Sequence, residues 1–379
     1  MNQKTTLGLY VHIPFCKSKC LYCDFCSFPH PKEETVERYV KALEKDLRLW
    51  AERARGMTVD TVYFGGGTPT LLSEETLCHL LSVLAEQYDL DPNAEITLEC
   101  NPRTGSRSFF SSLRRGGFNR VSVGLQSTQD EELRALGRQH SFADFCRTYE
   151  ELRAADFSNV SIDLMSGIPH QTLQSYLQTI DRVTALAPEH ISAYGLIVEE
   201  GTPFSTLEKR GSLILPDEEA ARSMYFEGID RLASAGYAQY EISNFARAGY
   251  ESRHNMKYWN CEPYLGFGPA AYSDFLGERF GNSRDLLAYN DGESIREECE
   301  APSAIERQNE YVMLRMRLCE GLRAEAFKER FGEDLEERYG HKLSAYVAGG
   351  FVQKNEDGYA FTKEGMYVSN AILSDVLDF

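Results

Sequence analysis

Apolar and polar residues alternate along the first half of this chain with two different periods. Short runs rich in β-branched and aromatic residues recur at 7–12, 58–64, 95–99, 120–125, 159–165 and 190–198. Each reads as a strand, because successive side chains of an extended chain point to opposite faces. Between them, segments 36–55, 74–87, 142–154 and 172–186 carry apolar residues three and four apart, the spacing that gives a helix one oily stripe. A parallel neighbour needs a long crossover, so strands joined by helices pair in parallel. Six such strands predict an α/β fold, an incomplete parallel (β/α)6 barrel over residues 1–235. Beyond 211 the alternation stops. A helix is predicted over 217–235 and a strand-like run at 240–245. A glycine- and proline-containing aromatic stretch occupies 258–272, and 236–300 reads as a connecting segment. Helical periodicity then returns over 304–319 and 325–331, with a strand and turn at 359–365, predicting a smaller, mixed but mainly helical C-terminal domain over 301–379.

Composition narrows the functional classes. With 379 residues and 42% apolar content the chain can bury two or three domain cores. No apolar run approaches the roughly 18 residues that span a bilayer. Residues 7–15 are mildly apolar but contain His12 and Pro14, which makes them a poor secretory signal. The 58 acidic residues against 40 basic ones give a net charge of −18, which opposes a phosphate backbone as a partner. Nucleic acid is therefore disfavoured, even though the C-terminal pattern of helices, strand and turn is similar to a winged helix. Four of the ten cysteines crowd into residues 16–26. That distribution predicts a ligand cluster in a reducing cytoplasm and not a disulfide framework.

Cys16, Cys20 and Cys23 follow the first strand directly, in C-x3-C-x2-C spacing. Three thiolates in one loop suit an iron-sulfur cluster. A structural zinc site normally closes with four ligands, often two separated C-x2-C pairs, and no second pair follows. Cys26 is either a fourth ligand or a nearby free thiol. Gly65, Glu99, Gln126 and Asp163 lie at the ends of later strands, which is where α/β barrels assemble their active sites.

The three-cysteine spacing, with Tyr22 before the third cysteine, resembles the signature of the radical-SAM superfamily. The resemblance implies a [4Fe-4S] cluster on Cys16, Cys20 and Cys23 with one iron left open. S-adenosylmethionine would chelate that iron, and one-electron cleavage of its sulfonium would give a 5'-deoxyadenosyl radical. The Gly65-Gly66-Gly67-Thr68-Pro69-Thr70 run resembles the glycine-rich segment that holds the methionine amino group, although alone it could be a tight turn. Together with Glu99, Gln126, Arg138 in Leu-Gly-Arg-Gln-His and Asp163 in Ile-Asp-Leu-Met, it is similar to one branch. That branch contains the oxygen-independent coproporphyrinogen dehydrogenases and the HemW-type heme chaperones. The resemblance implies that Tyr10, Tyr22, Gly66, Gly67, Thr68, Glu99, Gln126, Arg138 and Asp163 contact the cofactor. Carboxylates suit ribose hydroxyls and ammonium, and arginine suits a carboxylate.

Two features favour the chaperone: only fifteen residues precede Cys16, and Phe25 stands where the dehydrogenases place a further cysteine. His254-Asn255-Met256-Lys257-Tyr258-Trp259 also resembles the His-Asn-x-x-Tyr-Trp motif of the chaperone branch. On a helix His254 and Tyr258 share a face, so His254 is expected as a heme contact or axial ligand with Tyr258 and Trp259 beside it. The competing reading has His254 capping a turn and Trp259 in the core. The expected activity is binding of heme as cargo and its transfer to an acceptor hemoprotein, a respiratory one by resemblance. The alternatives are oxidative decarboxylation of coproporphyrinogen III and a zinc-stabilised binding module. Dimerisation, covalent or non-covalent heme binding, and the use of S-adenosylmethionine cleavage are left open by the sequence.

Overall fold

The structure, a computed structural model, describes residues 5–292 and 296–377. Residues 1–4, 293–295 and 378–379 of the expected divisions lie outside the described residues.

Six parallel strands neighbour one another in chain order: β1 (Thr6–Ile13), β2 (Thr58–Gly66), β3 (Asp89–Cys100), β4 (Arg120–Gln126), β5 (Val160–Ser166) and β6 (His190–Gly195). Their crossovers contain α1 (Glu33–Ala51), α2 (Glu74–Gln87), α3 (Arg107–Gly116), α4 (Phe142–Ala154) and α5 (Leu173–Ala185). Local chemistry sets the helix starts. Ser73 and Ser106 accept backbone N–H bonds of the first turns, and Ser141 and Thr172 form reciprocal capping boxes. The strands bury apolar residues outward against these helices, with Leu9, Val62, Leu98, Val123 and Ile162 in one continuous core. The alternate positions face inward and are polar: Thr61, Glu95, Glu99, Arg120, Ser122 and Asp163. Period two thus gives a dry outer layer and a polar bore.

The 236–300 segment is not a connector, and the division expected there is corrected. After α6 (Glu218–Ser234), strands β7 (Ala238–Gln239) and β8 (Asn244–Ala246) extend the sheet beyond β6 in antiparallel fashion. At the opposite edge β9 (Tyr264–Phe267) pairs parallel with β1, and β10 (Tyr272–Phe275), β11 (Glu278–Asn282) and β12 (Arg296–Glu300) follow antiparallel. Among the described residues the sheet has twelve strands, and it stays open between β12 and β7. Glycines and a proline interrupt the apolar alternation from 266 to 281, which hides these strands from a periodicity reading.

Helix α7 (Arg253–Trp259) closes the floor of the bore at the N-terminal ends of the strands. The Glu95 carboxylate accepts the backbone N–H groups of Arg253 and His254, both at 3.1 Å. Lys257, almost wholly buried, pairs with Asp60 at 2.7 Å and Glu262 at 2.9 Å. The C-terminal module runs α8 (Ala304–Met316), β13 (Leu322–Arg323), α9 (Ala324–Phe331), α10 (His341–Ala348), β14 (Val352–Asn355) and β15 (Gly358–Phe361). Its sheet order β13-β15-β14 is that of a winged helix, around a separate core including Val312, Phe327, Leu343 and Phe361. Among the described residues, no helix is long and apolar enough to cross a membrane.

Candidate functional site

Past Ile13 the chain folds back across the end of β2, and the glycine run makes this possible. The N–H groups of Gly67 and Thr68 donate to the carbonyls of Ile13 at 2.8 Å and Phe15 at 2.7 Å. A Cβ on Gly67 would lie 2.6 Å from the Phe15 carbonyl oxygen, and one on Gly66, whose φ is +110°, would lie 2.6 Å from the His12 ring. Only glycine lets the cysteine loop seat here. Cys16, Cys20 and Cys23 then line a cavity of 420 Å³ at the C-terminal mouth of the barrel. Burial raises the Cys23 thiol pKa, opposed by a bond from the Phe25 backbone. All ten cysteines are free thiols. Cys26 does not line this cavity; its thiol faces the Arg284 carbonyl at 3.6 Å. Among the described residues no group of three histidine, cysteine or carboxylate side chains is close enough to hold a single ion, and the three thiols stand around the cavity wall.

Strand ends supply the polar wall. Glu99 accepts the Tyr63 hydroxyl at 2.9 Å and the Gly66 N–H at 3.0 Å. Burial, opposed by the Tyr63 hydrogen bond and reinforced by nearby Asp163, leaves its pKa raised to about 7. Asp163 accepts the Ser122 hydroxyl at 3.0 Å, and burial raises its pKa as well. Gln126, held at φ +73° where β4 ends, accepts the Tyr194 hydroxyl at 2.9 Å. The Arg138 guanidinium lies 6.0 Å from the centre of the Tyr22 ring, and its Nε is buried without a partner. The cavity therefore joins two half-buried carboxylates to one guanidinium, a donor and acceptor set suited to a ligand carrying hydroxyls, an amine and a carboxylate.

Of the residues expected to contact the cofactor, Tyr22, Gly66, Gly67, Thr68, Glu99, Gln126, Arg138 and Asp163 line this cavity. Tyr10 does not. It stands deeper in the bore, bonded to His12 Nδ1 at 3.0 Å, and faces a neighbouring cavity. Asn101, which sequence reasoning did not single out, bridges the site. It accepts from Arg138 at 2.8 Å and donates to Thr68 at 2.8 Å, and the Thr68 hydroxyl lies 3.6 Å from Cys16 Sγ. Its place two residues beyond Glu99, past the end of β3, was the available signal.

The Radical SAM superfamily model matches residues 10–183, and the HemN C-terminal domain model matches residues 303–368. The protein named heme chaperone HemW in Bacillus subtilis (strain 168) is 35% identical over 377 residues, covering 97% of this chain and 98% of that protein. Its namesake in Haemophilus influenzae is 32% identical over 382 residues, covering 98% of each. The chain belongs to the HemW family. Coproporphyrinogen III oxidase (HemN) from Escherichia coli, a radical SAM enzyme, shares the fold, with a TM-score of 0.85 at 22% identity over 99% of this chain and 90% of that one. Superfamily membership implies a [4Fe-4S] cluster and S-adenosylmethionine. The thiol ring, the glycine cradle and the unpartnered Arg138 Nε fit both.

The HemW-type motif around His254 sits elsewhere than expected. His254 is 1% exposed on the barrel floor. Its Nδ1 pairs with the Thr61 hydroxyl at 2.9 Å and its Nε2 with the Tyr258 hydroxyl at 2.8 Å, while the ring stacks on Tyr63 at 5.2 Å. Burial, helped by Lys257 and Arg120, lowers its pKa to about 3, so the ring is neutral. With both nitrogens engaged inside the bore, His254 is not presented as an axial ligand in this structure. It is a floor residue. Tyr258 is half-buried and faces the neighbouring cavity; half-buried Trp259 lines neither cavity.

Proposed function

We propose that this chain is a radical SAM heme chaperone, which binds heme and passes it to an acceptor hemoprotein. The single observation carrying this reading is similarity over nearly the whole length to proteins named heme chaperone HemW. In the cofactor cavity, Cys16, Cys20 and Cys23 hold the [4Fe-4S] cluster and S-adenosylmethionine lies against Gly66, Gly67 and Thr68. When bound, the cluster supplies one electron for cleavage of the sulfonium.

The chain's own residues bind and orient. Arg138, fixed by Asn101, offers Nε to the methionine carboxylate, and Glu99 and Asp163 accept ribose hydroxyls. Tyr63 and Ser122 hold those two carboxyls in place. Gln126 and Tyr22 complete the wall. The acceptor is a hemoprotein of the respiratory type, met in the reducing cytoplasm where free thiols persist.

Coproporphyrinogen dehydrogenation gains no support from the shared HemN fold alone, since one fold hosts different functions. Phe25 occupies the position of the dehydrogenases' further cysteine. The test is anaerobic incubation of cluster-loaded protein with reductant, S-adenosylmethionine and coproporphyrinogen III, alongside a hemin titration and a working dehydrogenase. Hemin binding with porphyrinogen left intact is expected. Protoporphyrinogen formation would make the chain a biosynthetic enzyme.

A further inference from the structure

A second cavity, of 310 Å³, opens beside the cofactor cavity between the cysteine loop, β1 and the strands β9 and β10. Asp24 and Phe25 are the two residues lining both. Its walls are aromatic, with Tyr10, Tyr258, Tyr264 and Tyr272 facing Phe25. Phe25 is 67% exposed and Tyr272 is 48% exposed, so large apolar rings stand open at its rim. Exposed apolar groups gathered around a concavity mark binding sites more often than solvated surface.

Among the described residues that line this cavity, Arg284 is the one lysine or arginine. Arg284 is exposed, and among the described residues no carboxylate lies within ion-pair distance of it. Its guanidinium makes only a long contact, 3.3 Å, to the Asp24 backbone carbonyl. The adjacent Asp285 carboxylate is spent capping a helix, accepting the N–H groups of Leu287 at 2.8 Å and Ala288 at 3.3 Å. Among the described residues, Asp24 is the one acidic residue in the lining. A guanidinium with no carboxylate partner, beside aromatic rings that include the edge-to-face pair Tyr258 and Tyr264, suits a planar aromatic ligand bearing carboxylates.

We propose that this cavity receives the propionate-bearing edge of heme, with Arg284 on a propionate and Phe25 and Tyr272 against the ring. The inference rests on the heme-chaperone reading and locates its cargo. The cavity is smaller than a whole tetrapyrrole, so one edge enters and the rest of the macrocycle projects past Phe25 and Tyr272. The HemW-type motif contributes through the Tyr258 ring, with His254 behind it. Because Asp24 and Phe25 follow Cys23 directly, cargo here touches the segment that leads out of the cluster loop.

The test is a hemin titration of full-length, cluster-loaded protein, followed by Soret absorbance, for the parent, Arg284→Gln and Phe25→Ala. Hemin dimethyl ester, whose propionates are masked, is titrated in parallel. Arg284→Gln should weaken hemin about tenfold, the loss of one charge-assisted hydrogen-bonded pair. It should leave the ester, already weak on the parent, unchanged, and Phe25→Ala should weaken both ligands. The cluster's electron paramagnetic resonance signal should shift on hemin addition in the parent. If the parent binds hemin and both variants match it, the cavity assignment is wrong while the chaperone reading stands. If the parent itself fails to bind hemin, that reading falls and this inference with it.

Discussion

His254 offers the sharpest contrast between a motif read from sequence and the role its surroundings give it. Replacing it with alanine would empty a ring-sized space on the barrel floor and strand the hydroxyls of Thr61 and Tyr258, which it holds at 2.9 and 2.8 Å. Truncating a buried ring costs about 3–5 kcal/mol. Thr61 is fully buried, so its orphaned hydroxyl adds about 1–3 kcal/mol. The sum, on the order of 5 kcal/mol, is comparable to the whole stability of many domains. His254→Phe separates the terms, keeping the ring and its stacking on Tyr63 while removing both hydrogen bonds, for an expected loss of about 2–4 kcal/mol. Urea unfolding followed by circular dichroism should order the three proteins parent, Phe and Ala from most to least stable. A hemin titration on whichever variants remain folded should show near-parental affinity. An alanine variant as stable as the parent that had lost hemin binding would refute the floor role and restore His254 as a ligand.

Other outcomes follow from the same geometry. The folded pKa values of His254, about 3, and His140, about 4, lie below the unfolded imidazole value, so the unfolded chain takes up protons that the folded one refuses. Stability should be full above about pH 6.5 and fall as pH drops toward 4, by about 1.4 kcal/mol per pH unit for each histidine, with His254→Phe shallowing the slope. Glu99 has the opposite sign, since its pKa is raised to about 7. Stability of the cofactor-free protein loses its contribution as pH rises from about 4.5 to 7, and S-adenosylmethionine should bind more tightly across that rise, with Glu99→Gln flattening the dependence in calorimetry. Asn101→Leu breaks the Arg138–Asn101–Thr68 bridge and should weaken S-adenosylmethionine about tenfold. Serine at Cys16, Cys20 or Cys23 should abolish the cluster in iron and sulfide assays, whereas Cys26→Ser should retain it.

The barrel was legible because its strands and helices carry clean periods. The run at 58–64 grew only to Thr58–Gly66, and α2 fell at 74–87 as read. The cysteine spacing and the residues at strand ends likewise placed eight of nine expected cofactor contacts in one cavity. What failed depended on direction and on distant partners. Tyr10 sits on an inward-facing position of β1, but its height in the bore turns it toward the second cavity. His254 belongs to a helix whose docking is set by Glu95, 159 residues away, a pairing no local pattern announces. Strands β9 to β11 escaped because their alternation is broken by glycines, and β12 because it lies inside the segment read as connector.

The proposed chaperone role requires this chain to carry heme to another protein. Its most direct measurement mixes heme-loaded, full-length protein with an apo-hemoprotein of the respiratory type and follows the Soret bands of donor and acceptor after separation. Heme should leave this chain and appear on the acceptor faster than free hemin is captured at the same total concentration. Heme that stays bound here, or reaches the acceptor no faster than free hemin, would contradict that role.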